Sequence, residues 1–456
     1  MTRPSDPLAP LRSRSYLVLL LLAAILGVPV SAAAFGFLAL VAHLQGWVFT
    51  SLPKAVGYGS EPLWWPLPWL VLAGILVALT IRYLPGTAGH RPAEGFKAGG
   101  APSPVELPGV IIAALATLSL GVVLGPEAPL IAIGGGLGVC AVRLAKRDAP
   151  PRVTSALAAA GSFAAVSALF GSPLAAAFLL MEASGIAGAT LELVLVPGLL
   201  AAGIGSLIFL GLGHWTGLGT FSLAIPHLPH VGTPDAAEFG WALVIGLAAA
   251  VLGSGIRRSA LRLQPVVERR RLLATPAAGL AIAGLAIAYG AGSGRGTSEA
   301  LFSGQNALGP LVTHGASYTV AALVLLLACK GLAYTASLSG FRGGPVFPSL
   351  LLGAAGGIAL SHVPGLPLIP GAAMGMGAMF TVVLGLPLTA VLIVTLFLTP
   401  DGLAVMPLVI VAVVVAYVVA ARLAPPPAQQ AGRPAPAGDH DVSAAAAPAG
   451  PSGPGG

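Results

Sequence analysis

Residues 125–129 read GPEAP, a carboxylate between two prolines at the junction of two long apolar runs. Pro suits the first turn of a helix and Gly permits close approach of the chain, so G-P-x-x-P predicts a helix start. A helix start presents N–H groups with no intrahelical acceptor and a partial positive charge of about half a unit. In a water-poor surrounding such a start invites an anion. Glu127 lies in that first turn, so its carboxylate can fill the anion position itself. Protonated or swung aside, it would admit an external anion. A first-turn Glu that merely caps its helix is the other reading of the same residue.

The motif occurs twice. GPEAPLIAIGGGLG (125–138) aligns without a gap to GPVFPSLLLGAAGG (344–357). Gly125, Pro126, Pro129, Gly134 and Gly138 match Gly344, Pro345, Pro348, Gly353 and Gly357. A second pair follows in the same order, FGSPLAAAF (170–178) against LGLPLTAVL (384–392). Two ordered pairs at nearly one spacing predict duplicated halves whose helix starts face a shared centre. The candidate anion site is then Glu127 with the backbone of Gly125, Ala128, Gly344, Val346 and Phe347. Pro126 and Pro345 bring no N–H to it.

The elements that hold this site are membrane helices. The chain has 456 residues, 56% of them hydrophobic and 8% charged, with mean hydropathy +0.92. Soluble domains carry about 25% charged residues, so the composition predicts an all-α polytopic membrane protein in the lipid bilayer. A net charge of +7 fits cytoplasmic loops in such a chain better than nucleic acid. Several apolar runs fall short of the roughly 20 residues of a full span. With 62 Gly and 41 Pro, discontinuous helices are expected. These are tolerated in a bilayer only against protein or a polar cavity.

The boundaries expected are a cytoplasmic N-terminus (1–14), a first membrane repeat (15–213), a connector (214–235), a second membrane repeat (236–423) and a disordered Pro/Ala/Gly-rich tail (424–456). The first apolar run is too long for the core of a signal peptide. The natural location is a cell membrane, multi-pass, with a bacterial inner membrane first. The basic stretch RRSALRLQPVVERRR (257–271) is expected on the cytoplasmic side, and 85–107 is expected as a polar connector.

Cys140 and Cys329 form no disulfide framework or metal motif, and His214, His227 and His230 show no metal-like clustering. No catalytic constellation assembles, and GSGRG (292–296) lacks the lysine and strand context of a phosphate loop. The chain is therefore expected to be no enzyme and to need no cofactor. Two buried-looking cations remain. Lys330 ends an apolar run, where it either adds positive potential or is structurally paired. Arg342 precedes Gly344 by two residues, where it either raises the potential along an anion path or holds loop carbonyls.

These residues resemble the chloride channel (CLC) family of anion channels and proton-coupled antiporters. LGPEAP is similar to that family's G-[KR]-E-G-P, which carries its gating glutamate, and SGFRGGPVFP is similar to its G-x-F-x-P region. ALFGSPLAAAFLLME resembles the helix leading to the family's inner carboxylates. The resemblance covers roughly 15–423. GHRP, GPEAP and GFRGGPVFP look most like a divergent bacterial branch of ion-transport proteins. It implies two inverted-repeat halves of tilted and re-entrant helices, a homodimer, one pore per subunit and Glu127 as the gate.

The chain departs from the family pattern at four places. TAGHRP (87–92) lacks the family's serine, and Pro126 replaces a basic residue. Ala183 stands where the second inner carboxylate belongs, leaving Glu182 as a possible proton relay or a capping group. No tyrosine follows the last long helix. The readings left open are a glutamate-gated pore for small inorganic anions, chloride first, and a proton-coupled antiporter of chloride or another small anion. A non-conducting membrane sensor or scaffold is the third.

Overall fold

The computed structural model describes residues 12–96, 100–146, 148–185, 189–217, 225, 228 and 231–424. The expected tail beyond 424, half of the connector, with His227 and His230, and residues 1–11 of the N-terminal segment lie outside the described residues. In the first half run α1 (Arg14–Gly46), α2 (Leu52–Ala55), α3 (Pro66–Tyr83), α4 (Leu107–Ser119), α5 (Glu127–Ala145), α6 (Pro151–Phe170), α7 (Pro173–Ser184) and α8 (Ala189–Thr216). The second half has α9 (Ala236–Arg269), α10 (Arg271–Ser293), α11 (Gln305–Thr313), α12 (Val320–Gly340), α13 (Val346–Leu360), α14 (Leu368–Leu384), α15 (Pro387–Phe397) and α16 (Gly402–Leu423). There is no β-strand among the described residues, and nine helical stretches there are long and apolar enough to cross a membrane. Exposed Leu17, Leu21, Leu243, Leu247, Ile410 and Val414 give α1, α9 and α16 lipid-facing sides.

The local signals explain many helix ends. Pro sits in the first turn of α3, α4, α6, α7 and α15, where its missing N–H costs nothing. Asp235 and Glu238 close a capping box at the start of α9. The repeat-matched Gly171 and Gly385 end α6 and α14 in the left-handed region, with φ of 62° and 77°.

Duplication is visible in the packing. In the first half, α5 packs on α6, α6 on α7 and α8, and α1 on both α6 and α8. The second half repeats this: α13 on α14, α14 on α15 and α16, and α9 on both α14 and α16. The repeat-matched glycines lie at the closest of these contacts. A Cβ on Gly134 would meet the Gly161 carbonyl, and one on Gly353 would meet that of Gly375. Gly138 and Gly357 face Leu157 and Gly371 in the same way. Small residues let helix backbones approach in the bilayer, where apolar burial alone does not drive association. Between the halves, Gly125 and Gly344 form an antiparallel bridge, so the two motifs enter the centre in opposite directions. The fold is all-α, with two inverted halves.

One expectation changes, and one segment gains a form. The basic cluster 257–271 is helical: α9 carries it to Arg269 and α10 resumes at Arg271. The connector 85–107 folds back as two short turns, Pro85–Ala88 and Pro92–Glu94, and becomes part of a cavity wall. Neither is readable from polarity alone, because both depend on what packs nearby.

The glycine contacts generate a test. Gly353→Val inserts three carbons against a neighbouring backbone and should destabilise by about 1–3 kcal/mol or more. Gly284→Ala, with nothing within 4 Å of the added carbon, should be neutral or slightly stabilising. Thermal unfolding in detergent measures both, and equal melting temperatures would contradict the packing account.

Candidate functional site

Each G-P-x-x-P places one proline just before the helix and another at its third residue. Pro126 precedes α5 and Pro345 precedes α13, with Pro129 and Pro348 inside. Neither proline carries an N–H. The fourth amide is already satisfied, since Leu130 N donates to the Pro126 carbonyl at 2.9 Å. Each start therefore presents two first-turn amides, those of Glu127 and Ala128 on α5 and of Val346 and Phe347 on α13.

The sequence predicts the amides of Gly125 and Gly344 as further donors to an anion. The structure corrects this. Gly125 N donates to the Gly344 carbonyl and Gly344 N to the Gly125 carbonyl, each at 2.7 Å. Buried amides at these depths must be paired, and the inverted motifs satisfy each other. The glycines contribute space instead. A Cβ at either position would fall on the carboxyl group of Glu127.

Glu127 is fully buried in that space. Its Oε1 accepts the backbone N–H of Val346, across the pseudo-symmetric centre. Its Oε2 has no partner among the described residues. One helix start thus holds a carboxylate by one amide, and the carboxylate keeps one oxygen free. Phe347 adds an aromatic wall, with its ring 6.0 Å from that of Phe170.

Two cavities approach this point. One, of about 330 Å³, is lined by Ala128, Pro129, Arg342, Gly343, Pro345 and the turn Gly86–Pro92. The other, of about 450 Å³, is lined by Leu124, Pro126, Glu61, Glu299 and Phe302 among others. Glu127 lines neither. In the chain it lies between residues of both, with Leu124 and Pro126 lining one and Ala128 and Pro129 the other. In the second cavity, Glu61 accepts the Thr297 hydroxyl, and burial pushes its carboxyl above the ordinary range despite that bond.

The other candidate residues separate. Lys330 is fully buried, and its Nζ donates to the carbonyls of Glu299 (3.1 Å), Leu301 (2.7 Å) and Phe302 (3.3 Å). All three donors of the ammonium hold one loop, which is the structural alternative. Glu182 accepts from Leu388 N (3.0 Å), Thr389 N (2.8 Å) and the Thr389 hydroxyl (2.6 Å), so it caps the start of α15. Arg342 donates to the carbonyls of Thr87 (3.2 Å) and Phe341 (3.1 Å), while Nη2 has no partner among the described residues.

Sequence reasoning missed the support given by α12. Tyr334 donates its hydroxyl to the Pro345 carbonyl at 2.9 Å, fixing the start of α13. Ser337 accepts from Val123 N at 3.2 Å, fixing the approach to GPEAP. Lys330, Tyr334 and Ser337 are spaced i, i+4, i+7, one face of an otherwise apolar helix. That polar stripe was the available signal.

A family model described as voltage gated chloride channel matches residues 73–421, well over half of the chain. The chain belongs to the voltage-gated chloride channel family. Among its relatives in that family is the "Putative ion-transport protein YfeO" of Salmonella schwarzengrund (strain CVM19633), 33% identical over 368 residues, covering 78% of this chain and 84% of the relative. The protein of that name from Salmonella typhimurium is 33% identical over 367 residues, with the same coverage. The fold is shared with a slow cyanobacterial Cl-/H+ antiporter at TM-score 0.72 and 20% identity, covering 89% of this chain and 94% of that one. It is also shared with a CLC-type fluoride/proton antiporter at TM-score 0.64 and 22% identity, covering 89% and 95%. The chain is thus a multi-pass membrane protein of an anion-transport family.

Removing the Lys330 clamp leaves three carbonyls, that of Leu301 in a buried bond, without their charged donor. Lys330→Met should destabilise by about 2 kcal/mol or more, whereas Glu182→Ala, the loss of a cap, should cost about 1 kcal/mol. Melting temperatures in detergent rank the two, and an unchanged value for Lys330→Met would contradict the clamp.

Proposed function

We propose that this CLC-family chain moves small inorganic anions, chloride first, between the two cavities, with Glu127 as the gate. The observation that carries this reading is the Glu127 carboxylate on the Val346 amide, in the space that the paired glycines leave open. Two unit negative charges 4 Å apart repel by about 4 kcal/mol at an effective dielectric of 20. An anion and an ionised Glu127 therefore exclude each other from the space between the helix starts. Protonation removes the charge that favours Glu127 on the Val346 amide, displacement of the side chain then frees that amide, and Ala128 and Phe347 supply the neighbouring first-turn donors. Among the described residues no lysine or arginine pairs with Glu127, so the anion is held by partial charges and can leave.

The arginine-bearing cavity faces the cytoplasm in this account. Arg91, Glu94, Glu268 and Arg271 form an ion-pair cluster beside it, and Arg257 reaches Gly95 in its wall. An excess of arginine marks the cytoplasmic side. Family membership supports a homodimer with one path per subunit.

Proton-coupled exchange is the second reading. It is favoured by the unpartnered Oε2 of Glu127, a place for a transferable proton, and by the antiporters among the proteins of like fold. A relay through Glu182 would require that carboxylate to leave the three donors at the start of α15.

Liposomes with a chloride gradient test both, with chloride efflux and proton movement recorded together. Efflux should rise as pH falls, because protonation removes the blocking charge. Glu127→Gln should conduct at all pH values and lose that response. Proton movement against its gradient, abolished in Glu127→Gln, would establish exchange. Folded protein that passes neither chloride, fluoride nor nitrate would overturn both readings in favour of a non-conducting sensor or scaffold. A pH response unchanged in Glu127→Gln would remove Glu127 from the gate.

A further inference from the structure

We infer that Arg342 forms a binding subsite for a planar oxyanion of nitrate size, in the cavity on the basic side of the Glu127 barrier. This inference rests on the anion path proposed above and names the chemistry of one of its stations. Arg342 lines the 330 Å³ cavity and is only 5% exposed. A guanidinium offers five N–H donors in a rigid plane. Two are used, on the carbonyls of Thr87 and Phe341. Three remain, one on Nη1 and two on Nη2, without a partner among the described residues. Leaving charged donors unpaired in a buried place is costly, and such groups call for an explanation. Lys330 shows the contrast, since the same chain satisfies every donor of a buried cation whose work is structural.

The surroundings of Arg342 fit an anion. Ala128, a first-turn residue of α5, lines the same cavity with the positive end of its helix. Ser162, also in the wall, spends its hydroxyl proton on the carbonyls of Ile131 and Ala158. Glu106 is the carboxylate of the wall, and its Oε2 is engaged by Ser103 N at 2.8 Å. Arg91 and Arg271 stand nearby, paired with Glu94 and Glu268.

The remaining donors sit on the two terminal nitrogens, in one plane, and two coplanar donors match two oxygens of a planar anion. A halide can take only one point of that fork, whereas a trigonal oxyanion takes two. The two carbonyl bonds fix the plane in advance, so the fork is preorganised. TAGHRP brings no hydroxyl to this wall, and the backbone of Thr87 instead orients the arginine.

The test uses the full purified chain and two substitutions. Arg342→Lys keeps the charge and loses the fork, and Arg342→Gln loses both. Nitrate and chloride binding are measured by isothermal titration and by anion-induced shifts in melting temperature, and the nitrate-to-chloride flux ratio is measured in liposomes. Wild type should bind nitrate more tightly than chloride. Arg342→Lys should weaken nitrate binding about tenfold while changing chloride far less, and Arg342→Gln should weaken both about tenfold or more. Lysine can still reach a loop carbonyl, so its variant keeps the comparison valid if Arg342→Gln misfolds. Unaltered nitrate binding and flux ratio in folded Arg342→Lys would overturn the subsite. Absence of flux in wild type together with fork-dependent nitrate binding would overturn the transport reading and leave the subsite standing.

Discussion

Gly125 and Gly344 hydrogen-bond each other across the centre of the molecule, and the rest of the structure is arranged around that contact. Two segments of the chain entering from opposite directions each bring a peptide group just before a helix start. In hydrocarbon neither group has water to bond. The inverted halves solve this by pairing the two groups reciprocally, which also holds α5 and α13 with their starts together. Only glycine at both places leaves room beside the bond, and the carboxyl group of Glu127 takes that room. A charge in the bilayer is thereby placed among the few donors able to hold it.

Four ionisable residues in or beside the apolar helices illustrate how unused bonding capacity separates scaffold from site. Lys330 places all its donors on one loop, and Glu182 accepts three bonds from one helix start. Both fix chain segments. Among the described residues Glu127 keeps one oxygen unpartnered and Arg342 three N–H donors, and these two stand on the anion path proposed here. The supporting work falls to α12, where Lys330, Tyr334 and Ser337 each tie down a different non-helical segment. A single helix face therefore sets the register of the second cavity's loop, the start of α13 and the approach to α5.

Much of this was legible in the sequence because Pro and Gly act locally. The two G-P-x-x-P motifs mark helix starts by the chemistry of proline alone, and their matched glycines at 134/353 and 138/357 recur at the same backbone contacts. Glu127 stood out as a charge in an apolar chain. The pairing of Gly125 with Gly344 was not legible, because it depends on the halves being brought face to face. Nor was the conversion of 85–107 into a cavity wall, since its polarity fits a loop equally well. The fully satisfied state of Lys330 and the partly satisfied state of Arg342 look alike in sequence. They differ only in how many carbonyls the fold brings within reach.

The central claim is that the space between the two helix starts is an anion site which Glu127 fills from within. Crystals of Glu127→Ala soaked in bromide test it most directly, because bromide is located by its anomalous scattering. The account predicts a bromide in the vacated space, within hydrogen-bond distance of the Val346 amide and beside Gly125 and Gly344. Ordered bromide elsewhere in the path, with the Val346 amide taken up by protein or water, would contradict it.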